Sequence, residues 1–259
     1  MINYEEIMKN FACWCFKAKY SPNGEVFDWG DTTEYAIKNF KNGCEPLLCG
    51  GNKFSDNGNG SLMRILPIAY FIYLFSLKYS FSEEDKMKVI HNLSSLTHRH
   101  GISQMACGTY VLIAIELLKN RFVKENGLSL EEMVKNGIRM AKEYYYKNDY
   151  FQEFLPDFDV IFNEDIKNKS IDIIRGRGYV ISSLEASLWC LLNNNSYKET
   201  ALAAVNLGED TDTTAAIACG LAGIYYGYEN IPTNWLDQIV RFDFIEELIG
   251  NFSDYLSNI

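Results

Sequence analysis

The sequence predicts an all-α fold, a single multi-helix bundle of about ten helices spanning residues 1–259 as one domain. Three observations predict it. Apolar residues recur at helical spacing, as Ile7, Phe11, Trp14 and Ala18 do at i, i+4, i+7 and i+11. No stretch alternates apolar and polar residues as a half-buried strand does, and no internal repeat is visible. Two long runs, 102–119 and 215–226, are apolar and rich in small residues, the composition of helices that pack closely together. With 259 residues, 47% of them hydrophobic, the chain has ample material for a core.

Taken in order, residues 2–19 form a helix by the spacing just given, and Ser21-Pro22-Asn23-Gly24 ends it in a turn. A short helix over 34–40 follows, with Asp31 or Thr32 as its N-cap, and Asp28 lies in the loop just outside it. A turn-forming Asp is the ordinary reading of Asp28, and a carboxylate facing a cleft is the other. Residues 44–60 are loop, ending in the glycine-rich run Asn57-Gly58-Asn59-Gly60 before Ser61. Such a loop feeding a helix presents several N–H groups together and suits an anion, although no Walker lysine or βαβ context accompanies it. A helix over 62–77 is broken or restarted by Pro67.

Ser82 and three acids open a helix that ends near Thr97-His98-Arg99-His100. Two His at i, i+2 diverge, so they are no zinc pair, and one of them is free to meet a ligand. Residues 102–119 and 128–146 are helices, and 157–170 reads as a polar loop or lid. The aromatics Tyr144, Tyr145, Tyr146, Tyr150, Phe151 and Phe154 read as packing and oligomer surface. Helices over 183–192, 197–207, 215–226 and 235–249 complete the chain, with 215–226, richest in small residues on all sides, expected at the centre.

The net charge of −10 disfavours a general basic face for nucleic acid, while a small phosphorylated ligand held by helix N-termini or a cation remains compatible. Seven cysteines, an odd number with no CxxC pair, read as reduced thiols. The first residues lack the apolar core of a signal peptide, and no uninterrupted apolar run of spanning length is visible. Cytoplasmic location and no membrane partner are the expectations.

The densest chemistry lies at Gly208-Glu209-Asp210-Thr211-Asp212-Thr213-Thr214. Asp210, Asp212 and Thr213 at a helix start are hard oxygen donors suited to Mg²⁺, Mn²⁺ or Ca²⁺. The spacing is not that of an EF-hand, since Ala215 and Leu221 stand where Gly and Glu are required. The same residues also read as a helix N-cap.

Four segments, F-D-W-G-D-T-T-E-Y-A-I at 27–37, N-G-N-G-S-L-M-R-I-L-P-I-A at 57–69, L-T-H at 96–98 and the run at 204–227, together resemble the ADP-ribosylglycohydrolase family. The resemblance extends over essentially the whole chain. It implies an all-α hydrolase that cleaves the bond between ADP-ribose and a side chain or small molecule with two Mg²⁺ or Mn²⁺ ions. It further implies that Asp210, Asp212 and Thr213 are metal ligands, and that Asn57, Gly58, Asn59, Gly60 and Ser61 hold the phosphates and proximal ribose. By the same resemblance His98, Gly178 and Tyr179 lie by the nucleotide, and Asp28 is the acid or base at the ribose. The sequence departs from the family in two places. Glu209 replaces a Gly, and no Thr-Asp-Asp motif stands upstream of Asp28 to supply the other half of the metal site. One ion or none, a partner chain that supplies the half-site, or a non-catalytic nucleotide-binding or structural member are therefore the alternatives to a self-sufficient enzyme.

Overall fold

The structure, a computed structural model, describes residues 2–122 and 127–258. The fold is all-α, and among the described residues the only β pairings are two isolated bridges, Gly51 with His98 and Gly58 with Tyr179. The helices are α1 (Tyr4–Lys17), α2 (Asp31–Lys41), α3 (Pro67–Lys78), α4 (Glu83–Ser95), α5 (Gly101–Phe122), α6 (Leu130–Lys147), the single turn α7 (Asp159–Phe162), α8 (Val180–Leu192), α9 (Tyr197–Asn206), α10 (Thr211–Tyr226), the single turn α11 (Thr233–Leu236) and α12 (Phe242–Ser257).

The central helix is α5, not the expected 215–226. Residues 101–118 of α5 are buried on every side, against α3, α4, α6, α8 and α10. A helix enclosed on all sides needs apolar residues all round. That is why the stretch Gly101–Arg121, with a mean hydropathy of 1.5, has the length and composition of a membrane span. No such span was expected, and its apolar surface is spent wholly on the protein core. By contrast α10 packs on α5, α8 and α9 and keeps Asp212, Ala216 and Tyr225 exposed. Its small residues serve those close crossings rather than burial on all sides.

Several local expectations shift. Pro67 sits at the first position of α3, where its missing N–H costs nothing, and a separate 3₁₀ turn, Leu62–Arg64, precedes it. Gly30, not Asp31 or Thr32, is the N-cap of α2, with no side-chain cap. The segment 157–170 is no loose lid. Phe158, Ile161, Phe162 and Ile166 are buried, and Lys169 pairs with Glu185 while its carbonyl accepts from Trp189 Nε1 at 2.9 Å. The closing helix divides into α11 and α12, with Arg241 between them in the left-handed region at φ 59°. Of the aromatics, Tyr144, Tyr145 and Phe151 are core, packed round His91.

Candidate active site

Four separate loops and helix ends converge at the glycine-rich run. The Asn59 N–H donates to the Gly178 carbonyl at 3.0 Å, and the Val180 N–H to the Asn57 carbonyl at 3.0 Å. This two-residue bridge locks 57–60 to the 176–179 turn. The Asp210 N–H then donates to the Gly176 carbonyl at 2.7 Å, which brings the start of α10 to the same turn. On the other side Gly51 exchanges backbone bonds with the 97–99 segment, placing His98 beneath the loop.

Asp210 occupies the N-cap position of α10, yet its carboxylate caps nothing. Instead Oδ2 accepts from Asn59 Nδ2 at 2.7 Å. The same amide nitrogen donates to Ser183 Oγ at 2.8 Å, and that hydroxyl donates to the Arg177 carbonyl at 2.6 Å. A capping side chain must fold back on its own helix, and this one is turned away from it to a buried residue 151 positions earlier. The contact removes the side-chain cap reading for Asp210.

The roles of the loop residues divide by burial. Asn57 is pinned inside the protein: Nδ2 donates to the Phe54 carbonyl and toward His100 Nδ1, both at 3.0 Å, and Oδ1 accepts from Ser103 at 2.9 Å. Ser61 is fully buried, its hydroxyl accepting from Ser94 at 3.1 Å. These two hold the loop from below. The amides of Gly58 and Gly60 make no backbone bond among the described residues, which leaves them as donors. Gly60 is required by close approach, since a Cβ there would lie 2.9 Å from His98 Cε1 and 3.1 Å from Thr33 Oγ1.

His98 is neutral. Burial, with Arg64 nearby, pulls its pKa down to about 3. Arg64 Nη2 donates to Thr97 Oγ1 at 2.6 Å, and that oxygen lies 2.8 Å from His98 Nδ1. Arginine only donates, so the Thr97 hydroxyl hydrogen is left for Nδ1. The network therefore assigns the proton to Nε2, the ring nitrogen that faces Gly58 and Gly60. Burial also pushes the Tyr179 phenol up to about 12, so it stays a neutral donor beside the exposed Phe54, ring centroids 6.3 Å apart.

The remaining candidates lie less closely. Thr213 Oγ1 is 3.8 Å from Met63 Sδ, just past the loop. Asp212 is exposed on the first turn of α10. Asp28 is exposed in the segment before α2, which reaches the site through Thr33 at Gly60. Glu209 stands with φ 62°, next to Gly208 at φ 80°, a pair of left-handed residues that turns the chain into α10. Its carboxylate meets Arg177 Nε at 3.2 Å. Beside the loop a groove of about 660 Å³ opens between α2 and residues 48–56, with Lys53 and Arg99 as its basic groups. Sequence reasoning did not single out Arg64 or Ser183, because the partners Thr97 and Asn59 are 33 and 124 positions away in the chain.

Among the described residues no three His, Cys, Asp or Glu side chains cluster as a metal site. Asp210, Asp212 and Thr213 offer oxygen donors for part of one shell, and the residues present do not fit a pair of ions.

Together the helical architecture and the convergence of the 57–60, 97–99 and 176–179 segments with the start of α10 define an all-α domain with a glycine-rich loop at its candidate site. Residues 2–258 match the model of the ADP-ribosylglycohydrolase family, and the chain belongs to that family. It is 30% identical over 245 residues to the ADP-ribosylarginine hydrolase Tri1 of Serratia proteamaculans, covering 94% of this chain and 58% of that protein. To the ADP-ribosyl-[dinitrogen reductase] glycohydrolase of Rhodospirillum rubrum it is 24% identical, covering 92% and 66%. A solved chain of an ADP-ribosylglycohydrolase-related protein complex shares the fold, with a TM-score of 0.66, 22% identity, and coverage of 95% and 72%. The chain thus spans somewhat over half the length of the first two curated hydrolases it matches, at 58% and 57%. The family uses divalent metal ions in general.

Proposed function

We propose that this chain is a single ADP-ribosylglycohydrolase-like domain that binds the ADP-ribosyl group of a modified side chain or small molecule and takes part in hydrolysing its glycosidic bond. The observation that carries the reading is the Asp210 carboxylate held by Asn59 of the glycine-rich loop instead of capping its own helix. In this reading the Gly58 and Gly60 amides and His98 Nε2–H donate to the ribose and phosphate oxygens. Lys53 and Arg99 are the cations of the adjoining groove, where Asp31 and Asp56 share the wall. Tyr179 and the exposed Phe54 offer ring faces on the adenosine side. Asp28 handles the proton at the ribose. Asp210, Asp212 and Thr213 would hold one Mg²⁺ or Mn²⁺, which when bound orients hydroxyls and water at the anomeric carbon. Arginine-linked ADP-ribose is the substrate favoured, because two relatives 30% and 31% identical to this chain carry that name. Seven unpaired cysteines suit a reducing compartment, the cytoplasm.

A second reading rests on the incomplete donor set. This chain alone binds ADP-ribose and turns over little, and carboxylates from a partner chain complete the site. Calorimetry with ADP-ribose, with and without Mg²⁺, beside a release assay on ADP-ribosyl-arginine, tests both. Binding that Asn59→Ala weakens about tenfold supports the shared cleft, at the cost of one charge-assisted hydrogen bond. Full turnover by the chain alone overturns the second reading, and no ADP-ribose binding overturns both.

A further inference from the structure

The tautomer of His98 decides what this ring offers to a ligand at the glycine-rich loop, and a side chain set back from the loop controls it. The ring itself is held in place by backbone. The His98 N–H donates to the Ser94 carbonyl at 2.8 Å, and the His98 carbonyl accepts from Ser94 Oγ at 3.0 Å. Gly51 bonds to Thr97 and Arg99 on either side, at 3.1 and 2.8 Å. Burial, with the Arg64 charge second, keeps the ring neutral. What stays open is which nitrogen carries the one proton. Nε2 is the nitrogen at the loop: a Cβ on Gly58 or on Gly60 would stand 3.4 Å from it. With the proton on Nε2 the ring donates beside the Gly58 and Gly60 amides. With the proton on Nδ1 it presents a lone pair there instead.

The choice rests on the Thr97 hydroxyl, which has one hydrogen to give and two candidate acceptors. A Ser or Thr on a helix can donate to the carbonyl four residues back. Ser76, Ser95, Thr109 and Thr200 all do so in this protein, at 2.6 to 2.9 Å. Thr97, just past α4, does not. The carbonyl four residues back is that of Leu93, and the Thr97 N–H has turned to Ser94 instead, at 3.1 Å. Arg64 occupies the Leu93 oxygen: Nη1 and Nη2 both donate to it at 3.3 Å. Nη2 also donates to Thr97 Oγ1 at 2.6 Å. A guanidinium has only donors, so it takes the competing acceptor and offers none in return. The Thr97 hydrogen is left with His98 Nδ1, at 2.8 Å.

We propose that Arg64 is a positioning residue for the candidate site: by holding the Leu93 carbonyl and the Thr97 oxygen together, it fixes His98 as the Nε2–H tautomer, a neutral donor to a phosphate or hydroxyl oxygen of the ligand. Arginine suits the task because one planar fork of N–H groups reaches both oxygens at once. The inference rests on the ADP-ribose reading only for the binding arm of its test, since the tautomer is set without a ligand.

The chain has three histidines, so isotope-labelled histidine gives a ring-nitrogen NMR spectrum simple enough to read which nitrogen of His98 is protonated. The wild type is compared with Arg64→Met, Thr97→Val and Thr97→Ser. Met follows the path of the Arg64 stem beside Phe11 and adds no donor, and an apolar replacement for a desolvated charge is often tolerated. Thr97→Val leaves Arg64 in place, and thermal melts check all three folds. His98 is expected to carry its proton on Nε2 in the wild type and in Thr97→Ser. In Arg64→Met the Thr97 hydroxyl turns back to Leu93, and an Nδ1–H form appears that donates to the Thr97 oxygen. In Thr97→Val both forms are populated. Calorimetry with ADP-ribose is expected to show binding about tenfold weaker in Arg64→Met and Thr97→Val, for the loss of one charge-assisted hydrogen bond, and restored in Thr97→Ser. A wild-type ring protonated on Nδ1 overturns the inference, and so does pure Nε2–H in either Arg64→Met or Thr97→Val. Weaker binding with an unmoved tautomer makes Arg64 merely structural and overturns it too. A tautomer that responds as expected in a chain that binds no ADP-ribose supports the inference and refutes the functional reading instead.

Discussion

Asn59 and Asp210 meet through a single amide hydrogen at 2.7 Å. Asn59→Asp replaces that donor with a second carboxylate. Two like charges at hydrogen-bond distance raise the pair's proton affinity in the folded state above that of the unfolded chain. The folded protein then holds a proton that the unfolded chain has released, so its stability falls as pH rises through about 4. Thermal melts from pH 4 to 8 are expected to show Asn59→Asp losing ground to the wild type as pH rises, and parallel curves would refute the contact. The opposite sign holds for His91, whose pKa burial lowers to about 3. The unfolded imidazole protonates near 6.5 while the folded one does not, so its share of stability is complete above about 6.5 and is lost as pH falls toward 3. His91→Gln removes that share, and its melts are expected to decline less steeply with acid than the wild type's.

Glu209 at φ 62° explains why a Gly suits this place. Replacing Glu209 with Val, a β-branched residue that resists the left-handed region, is expected to cost about 1–2 kcal/mol in denaturant titration. Glu209→Gly trades relief of strain against chain entropy and an exposed ion pair, and is expected to stay within about 0.5 kcal/mol of the wild type.

At the scale of elements, the tightest crossing is α5 on α6. A Cβ at Gly137 would fall 2.5 Å from the Ile113 Cα, which is backbone and cannot rotate away. Ala gains about 1 kcal/mol of helix propensity over Gly but must push two helices apart, a cost of about 1–3 kcal/mol and at times more. Gly137→Ala is therefore expected to destabilise despite the better helix former, and a raised melting temperature would show that the crossing gives way freely. Helix identities and several ends were legible from spacing and caps: Ser82 and Ser196 each accept from the helix they open. What a spacing pattern cannot rank is which apolar helix lies deepest. Small residues mark close approach, which α10 makes on part of its surface, whereas centrality depends on how many neighbours arrive, and α5 has the most.

Across the whole molecule, burial runs from α5, enclosed through residue 118, to α12, where Leu256 is the one buried residue. Hydrogen exchange is expected to follow that gradient, slowest in the middle of α5 and fastest among the ordered helices in α12, since local opening costs least where least apolar area is lost. Slow exchange along α12 in the isolated chain would contradict its loose packing. One half-buried arginine, Arg64, reaches His98 through Thr97 on one side and lines an apolar groove with Phe11 and Leu93 on the other.

The sequence by itself determined the all-α class, because helical periodicity and caps are local. It also carried the segments at 27–37, 57–69, 96–98 and 204–227 that place the chain in its family. Tertiary structure alone decided which way Asp210 turns. An N-cap Asp has two competing acceptor roles, and only the arrival of Asn59, 151 residues away, selects between them. The tautomer of His98 likewise needs a distant residue: its partner Thr97 is its chain neighbour, but it is Arg64, 33 positions from Thr97, that takes one side of the Thr97 hydroxyl and leaves its hydrogen for the ring.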